Sequence, residues 1–105
     1  EEKMLQTYTD WENKIEEQND KLTAAAKNLN NALNKSMSDK TIQQLTDEYM
    51  KLQAQLQAMV VDKNKEIRKI VGTRNFAKFI VFEHFFNIEL RKIIFQKLKK
   101  DKKGK

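Results

Sequence analysis

His84 is the only histidine in the chain, and a metal site or a proton relay built on it would need partners one helical turn away. Its neighbours at three and four positions are Ile80, Val81, Asn87 and Ile88, which supply no second zinc ligand. Glu83 adjoins it in sequence but points about 100° away on a helix, so the two do not form an acid–base pair. A packing histidine is the expectation. The carboxylates Glu12, Glu16, Glu17, Asp47 and Glu48 are numerous, yet their positions predict solvated helix faces. Met4, Met37, Met50 and Met59 are too scattered for a copper-binding methionine cluster. With no cysteine there is no thiolate chemistry. With 2 glycines the chain holds neither a phosphate-cradling loop nor a nucleophile elbow. The expectation is a protein that is not an enzyme and uses no metal or cofactor.

Two constellations point instead to binding. Tyr8 and Trp11 stand one turn apart and could form a platform for an apolar peptide, although aromatic residues at this spacing also suit a core. Lys97, Lys99, Lys100, Lys102, Lys103 and Lys105 crowd the C-terminus, where they could meet nucleic acid, anionic lipid or an acidic protein surface. Arginine and aromatic interleaving is missing from this run. It reads most simply as a solvated basic tail, and nucleic acid is not the expected partner. The net charge of +6 is uneven: residues 1–52 hold 7 Lys and 10 acids, net −3, and residues 53–105 hold 14 Lys or Arg and 5 acids, net +9.

The elements that carry these residues follow from the absence of proline and the near absence of glycine, which leaves few sites for tight turns and favours long helices. Met4, Tyr8, Trp11, Ile15, Leu22, Ala25, Leu29 and Ala32 alternate by threes and fours, interrupted only by Gln18, and predict a heptad helix over about 4–33. Asp10 to Lys14 and Glu17 to Lys21 are spaced for ion pairs on its outer faces. After Asn34-Lys-Ser-Met-Ser38, Ser38 reads as an N-cap with Asp39 in the first turn. A second helix over 39–71 carries Ile42, Leu45, Tyr49, Leu52, Leu56 and Met59, then shifts to Val60, Ile67, Ile70 and Val71 around Lys63 and Glu66. So short a connection predicts an antiparallel hairpin.

Gly72 offers a left-handed C-cap and Thr73 an N-cap for a third helix over about 74–99. Five of the six phenylalanines fall within 76–86, and Phe76, Phe79, Ile80, Phe82, Phe85, Phe86, Leu90, Ile93, Ile94 and Leu98 cover more than one narrow stripe. Such a face either lies between the hairpin helices or completes a homodimer, and the dimer is the expectation. The fold class is all-α, elongated, with three long helices in a single domain over 1–99 and a basic flexible tail over 100–105. Phe76 to Phe95 is interrupted by Lys78, Glu83, Glu89, Arg91 and Lys92, so no transmembrane segment is expected.

The run from Val71 to Ile93 resembles the final helix of the Spy/CpxP-like extracytoplasmic helical proteins, in the branch common in Bacteroidetes. Lys78, Phe79, Phe82, Glu83, Phe86, Glu89, Leu90 and Arg91 match its Lys-Phe/Tyr-x-x-Phe-Glu-x-x-Phe and Glu-Leu-Arg pattern. The LTXXQ-type opening is degenerate, with Val71, Gly72, Thr73, Arg74 and Asn75 in its place. Met37 to Lys69 resemble the preceding helix, which often opens Leu-Ser-Asp and carries a tyrosine where Tyr49 stands. An earlier motif of that family, expected upstream of Tyr8-Thr9-Asp10-Trp11, is not present.

The resemblance implies a periplasmic stress-response adaptor or chaperone-like protein, often dimeric, that binds unfolded clients or a signalling partner. The opening Glu1-Glu2-Lys3, without an initiator methionine, fits a chain from which a signal peptide was removed or one that was trimmed. Heavy-metal sensing, known in some relatives, finds no ligand set in this chain. The expected protein-binding or dimer surface comprises Phe76, Phe79, Phe82, Phe86, Leu90 and Ile93, with Tyr8 and Trp11. The alternatives are a coiled-coil dimerisation module without chaperone action and an anionic-surface or nucleic-acid binder through the lysine tail.

Overall fold

The computed structural model describes residues 2–103, with side chains described over residues 2–100. Three α-helices follow in order: α1 (Glu2–Asn34), α2 (Asp39–Val71) and α3 (Thr73–Lys103). Among the described residues only 35–38 and Gly72 lie outside a helix, and there is no strand. The all-α fold class is therefore as the absence of breakers dictates.

The chain divides between Ile70 and Val71 into two compact units. The division falls where Gly72 ends the stripe that α1 and α2 share.

In the first unit, α1 and α2 form the antiparallel hairpin. Trp11 Nε1 donates to the Glu66 carboxylate, Glu12 meets Lys63, and Gln18 reaches Leu52 and Gln55. Each step toward the C-terminus of α1 is thus matched by a step toward the N-terminus of α2. Ala25, Ala32 and Ile67 are the buried apolar residues, and Ile15, Leu22, Leu29, Leu45, Leu52, Leu56 and Met59 are half-buried. A two-helix seam covers one narrow stripe of each partner and leaves its rims open to water. Alanine at 25 and 32, alternating with leucine at 22 and 29, gives the large and small side chains that interdigitate in such a seam.

Two features of this seam differ from the pattern read off the residues. Gln18, which interrupts the apolar stripe, is buried, and its Nε2 donates to the Leu52 carbonyl at 3.0 Å and to Gln55 Oε1 at 3.1 Å. A buried amide with its donors satisfied fixes the register of the two helices, because sliding either one would orphan it. In α2 the stripe does not shift to Val60, which is 37% exposed. It runs Leu56, Met59, Lys63, Ile67 and Ile70, with Lys63 on the seam and buried. The spacing of three, four and four from Leu56 to Ile67 is a stutter that locally unwinds the helix pair.

The connection closes with a Schellman arrangement. Ser36 adopts φ 54°, its N–H donates to the Leu33 carbonyl at 3.1 Å, and the Met37 N–H donates to the Ala32 carbonyl at 3.0 Å. Serine here occupies a left-handed position that glycine usually fills. On the far side, Ser38 caps α2 as expected: its Oγ accepts the Thr41 N–H at 3.3 Å.

At the second break Gly72 has φ +86°, and its carbonyl accepts the Phe76 N–H at 2.9 Å. Gly72 itself is thus the capping residue of α3, and Thr73 is already inside the helix and not its N-cap. The helix then continues past Lys99 to Lys103, through residues expected to form a tail. Lysine is a good helix former and its charge suits a helix C-terminus, and the next glycine is Gly104. Residues 104 and 105, with Lys105, lie outside the described residues, as do the side chains of Lys102 and Lys103.

Candidate functional site

On α3, Phe79, Phe82, Phe86, Leu90 and Ile93 recur at spacings of three, four, four and three and share one face of the helix. Phe76 and Phe79 are half-buried, with ring centroids 6.2 Å apart. Phe82 and Phe86, one turn apart, stack at 5.9 Å, and both face water: Phe82 is 66% exposed and Phe86 54%. Leu90 is 44% exposed and Ile93 61%. No described residue of α3 is buried. Six candidate surface residues therefore stand together on one helix, four of them as exposed apolar side chains.

Tyr8 and Trp11 belong elsewhere. Both are half-buried in the α1–α2 hairpin, where Lys63 Nζ lies 5.4 Å from the Tyr8 ring centroid and Lys14 Nζ lies 4.7 Å from that of Trp11. Each ring presents a face to a cation, a favourable use of its quadrupole. Trp11 also gives its indole N–H to Glu66. The two aromatics serve the open end of the hairpin and are not a free platform.

The same cluster changes the reading of Glu12. It is half-buried and lies 3.8 Å from Lys63 Nζ, whose side chain is only 5% exposed. Its role is to offset a buried cation and not merely to solvate a helix face, whereas Glu16, Glu17, Asp47 and Glu48 are exposed as expected. Nearby, the Asn64 side-chain oxygen is buried without a hydrogen-bond partner among the described residues. The signal for Lys63 was present in the sequence, since it falls on the heptad continuing from Leu56 and Met59. A lysine is passed over in a search for apolar residues.

His84 is exposed and packs edge-on against Phe85, with ring centroids 5.3 Å apart. Glu89 and Lys92 pair at 3.6 Å on the surface. Lys97, Lys99 and Lys100 are exposed on the helix. Among the described residues no group of three His, Cys, Asp or Glu side chains could hold a metal ion, and no helix is long and apolar enough to cross a membrane.

What the arrangement offers chemically is surface. A monomeric protein seldom leaves contiguous phenylalanine, leucine and isoleucine in water unless another molecule covers them. No protein-family model matches this chain, and no curated protein or solved structure is similar to it.

Proposed function

We propose that this chain is a non-catalytic, chaperone-like helical protein that works by holding apolar segments of other proteins against α3. The observation that carries the reading is the exposed run Phe82, Phe86, Leu90 and Ile93 on one face of that helix. Unfolded chains present scattered apolar side chains, and a helix face with two stacked aromatic rings at its centre offers area without demanding a fixed partner shape. Resemblance to the Spy/CpxP-like proteins in Lys78, Phe79, Phe82, Glu83, Phe86, Glu89, Leu90 and Arg91 supports the same activity and an extracytoplasmic setting.

The test is aggregation of a chemically unfolded client on dilution, followed by light scattering. The chain should suppress scattering at equimolar ratio, and the double variant Phe82→Ser/Phe86→Ser should lose most of the effect while keeping its helix content. No suppression by the unaltered chain at molar excess would reject the reading.

A further inference from the structure

A second face of α3 has a different chemistry. Ile88 and Phe95, seven residues apart, lie above one another on the helix, with Arg91 and Lys92 on either side of the line that joins them. Together with Gln96 these four residues line an open groove. Ile94 and Leu98, 50% and 59% exposed, widen the apolar strip, and Phe95 is 66% exposed. Lys99 follows on the same side of the helix, while Lys97 and Lys100 point away from it, and all three are exposed. Over 88–100 the helix carries Arg91, Lys92, Lys97, Lys99 and Lys100 against Glu89 alone. The Glu89–Lys92 pair is solvated on both sides, so Lys92 is held only weakly.

We propose that this C-terminal half of α3 lies on an anionic lipid surface, with Ile88, Ile94, Phe95 and Leu98 at the acyl boundary and Arg91, Lys92 and Lys99, which share that side of the helix, among the lipid phosphates. Charge decides the occupant. A second copy of α3 would set its own cations against these, which opposes self-pairing along this face. A neutral apolar peptide would gain nothing from the cations that flank this strip. An anionic bilayer satisfies both components at once, and long Lys and Arg stems let the charges reach the headgroups while the apolar side chains enter. No described helix can span a bilayer, so the helix lies in the interface plane.

The full chain is mixed with vesicles of phosphatidylcholine alone or of one part phosphatidylglycerol to two of phosphatidylcholine, and the bound fraction is read by flotation. Binding should appear on the anionic vesicles only and should disappear at about 0.5 M salt, where the Debye length falls below the reach of a side chain. Arg91→Gln/Lys92→Gln should weaken it roughly 30-fold, from the loss of two juxtamembrane cations. Phe95→Ser/Leu98→Ser should weaken it about tenfold. Phe82→Ser/Phe86→Ser, which lies upstream, should leave it within about twofold, and this separates the result from the client-binding test. Circular dichroism checks that each variant keeps its helices, and if the Phe95/Leu98 variant unfolds, the Arg91/Lys92 variant still decides. Absence of binding, equal binding to both vesicles, or indifference to the Arg91/Lys92 variant would overturn the proposal. Tighter binding to an aspartate-rich peptide than to the anionic vesicles would do the same, since it would assign the cations to an acidic protein partner.

Discussion

The hairpin and α3 use similar raw material to opposite ends. All three helices exceed 30 residues and are rich in charge, yet among the described residues every buried one, Gln18, Ala25, Ala32, Lys63 and Ile67, belongs to α1 or α2. The third helix holds the phenylalanines and buries none of them. What separates the two regions is whether apolar residues recur on a stripe that a neighbour matches. In the hairpin they do, and even the polar intruders Gln18 and Lys63 find partners across the seam. In α3 apolar side chains point in too many directions for one stripe to cover, and much of their area stays exposed.

The largest effect that could break this contrast concerns Ile67, which has no exposed surface. Ile67→Ala should cost about 3 kcal/mol of unfolding free energy, combining lost burial with a cavity. Phe82→Ala, at a residue 66% exposed, should change stability by less than about 0.5 kcal/mol. Denaturant unfolding followed by circular dichroism gives both values. Comparable losses at the two sites would mean that Phe82 is a structural residue, and the functional reading of α3 would fall with the contrast.

The next test lies within the hairpin and asks whether its buried charge is tolerated or required. Lys63 is buried, while Glu12 keeps access to water. Removing the acid should therefore hurt more than removing the cation. Glu12→Gln leaves the ammonium short of a counter-charge and should cost about 1–2 kcal/mol, less than for a fully buried pair because Glu12 is partly solvated. Lys63→Met gives up the contact of the ammonium with the Tyr8 ring but keeps a side chain of similar length on the seam and removes the desolvation penalty, so it should be neutral or about 1 kcal/mol more stable. In the double variant most of the Glu12→Gln loss should vanish, a coupling that a double-mutant cycle reads directly. Equal losses from both single variants would show that the pair is held for net attraction.

These sites also mark how far the residues alone could be read. Helix number, the first break and the hairpin were legible because heptad spacing and the Ser38-Asp39 cap are local signals. The phenylalanine cluster of α3 was legible as well, but that Phe82, Phe85 and Phe86 stay exposed was not. Lys63 stood on the heptad of Leu56 and Met59 and was passed over, because what a charged residue does on a seam is plain only once Glu12 and Tyr8 are known to face it. The place of Tyr8 and Trp11 in the hairpin was hidden for the same reason: an aromatic at heptad spacing looks identical whether the opposing helix brings Lys63 and Glu66 or brings nothing. The extension of α3 to Lys103 was missed by giving a lysine run the character of a tail when its helix propensity is high.

The smallest effects sit at the two breaks, where a single backbone angle distinguishes the loop inside the hairpin from the junction that follows it. Both Ser36 and Gly72 are left-handed, but only one carries the residue suited to it. A Cβ at Gly72 would meet nothing within 4 Å, so Gly72→Ala is strained by φ alone and should cost about 1 kcal/mol. Ser36→Gly should do the reverse. It relieves the left-handed strain and keeps the Schellman bonds to Leu33 and Ala32, but it also frees the unfolded chain, so the net gain should be about 0.5 kcal/mol. Trp11, the only tryptophan, reports on the hairpin by fluorescence, and circular dichroism reports on all three helices. Ser36→Gly should raise both transitions together, whereas Gly72→Ala should lower the dichroism transition and leave that of Trp11 in place. If Gly72→Ala moved both equally, α3 would share the hairpin's cooperative unit, and its apolar face would have to be reckoned part of the same folding transition.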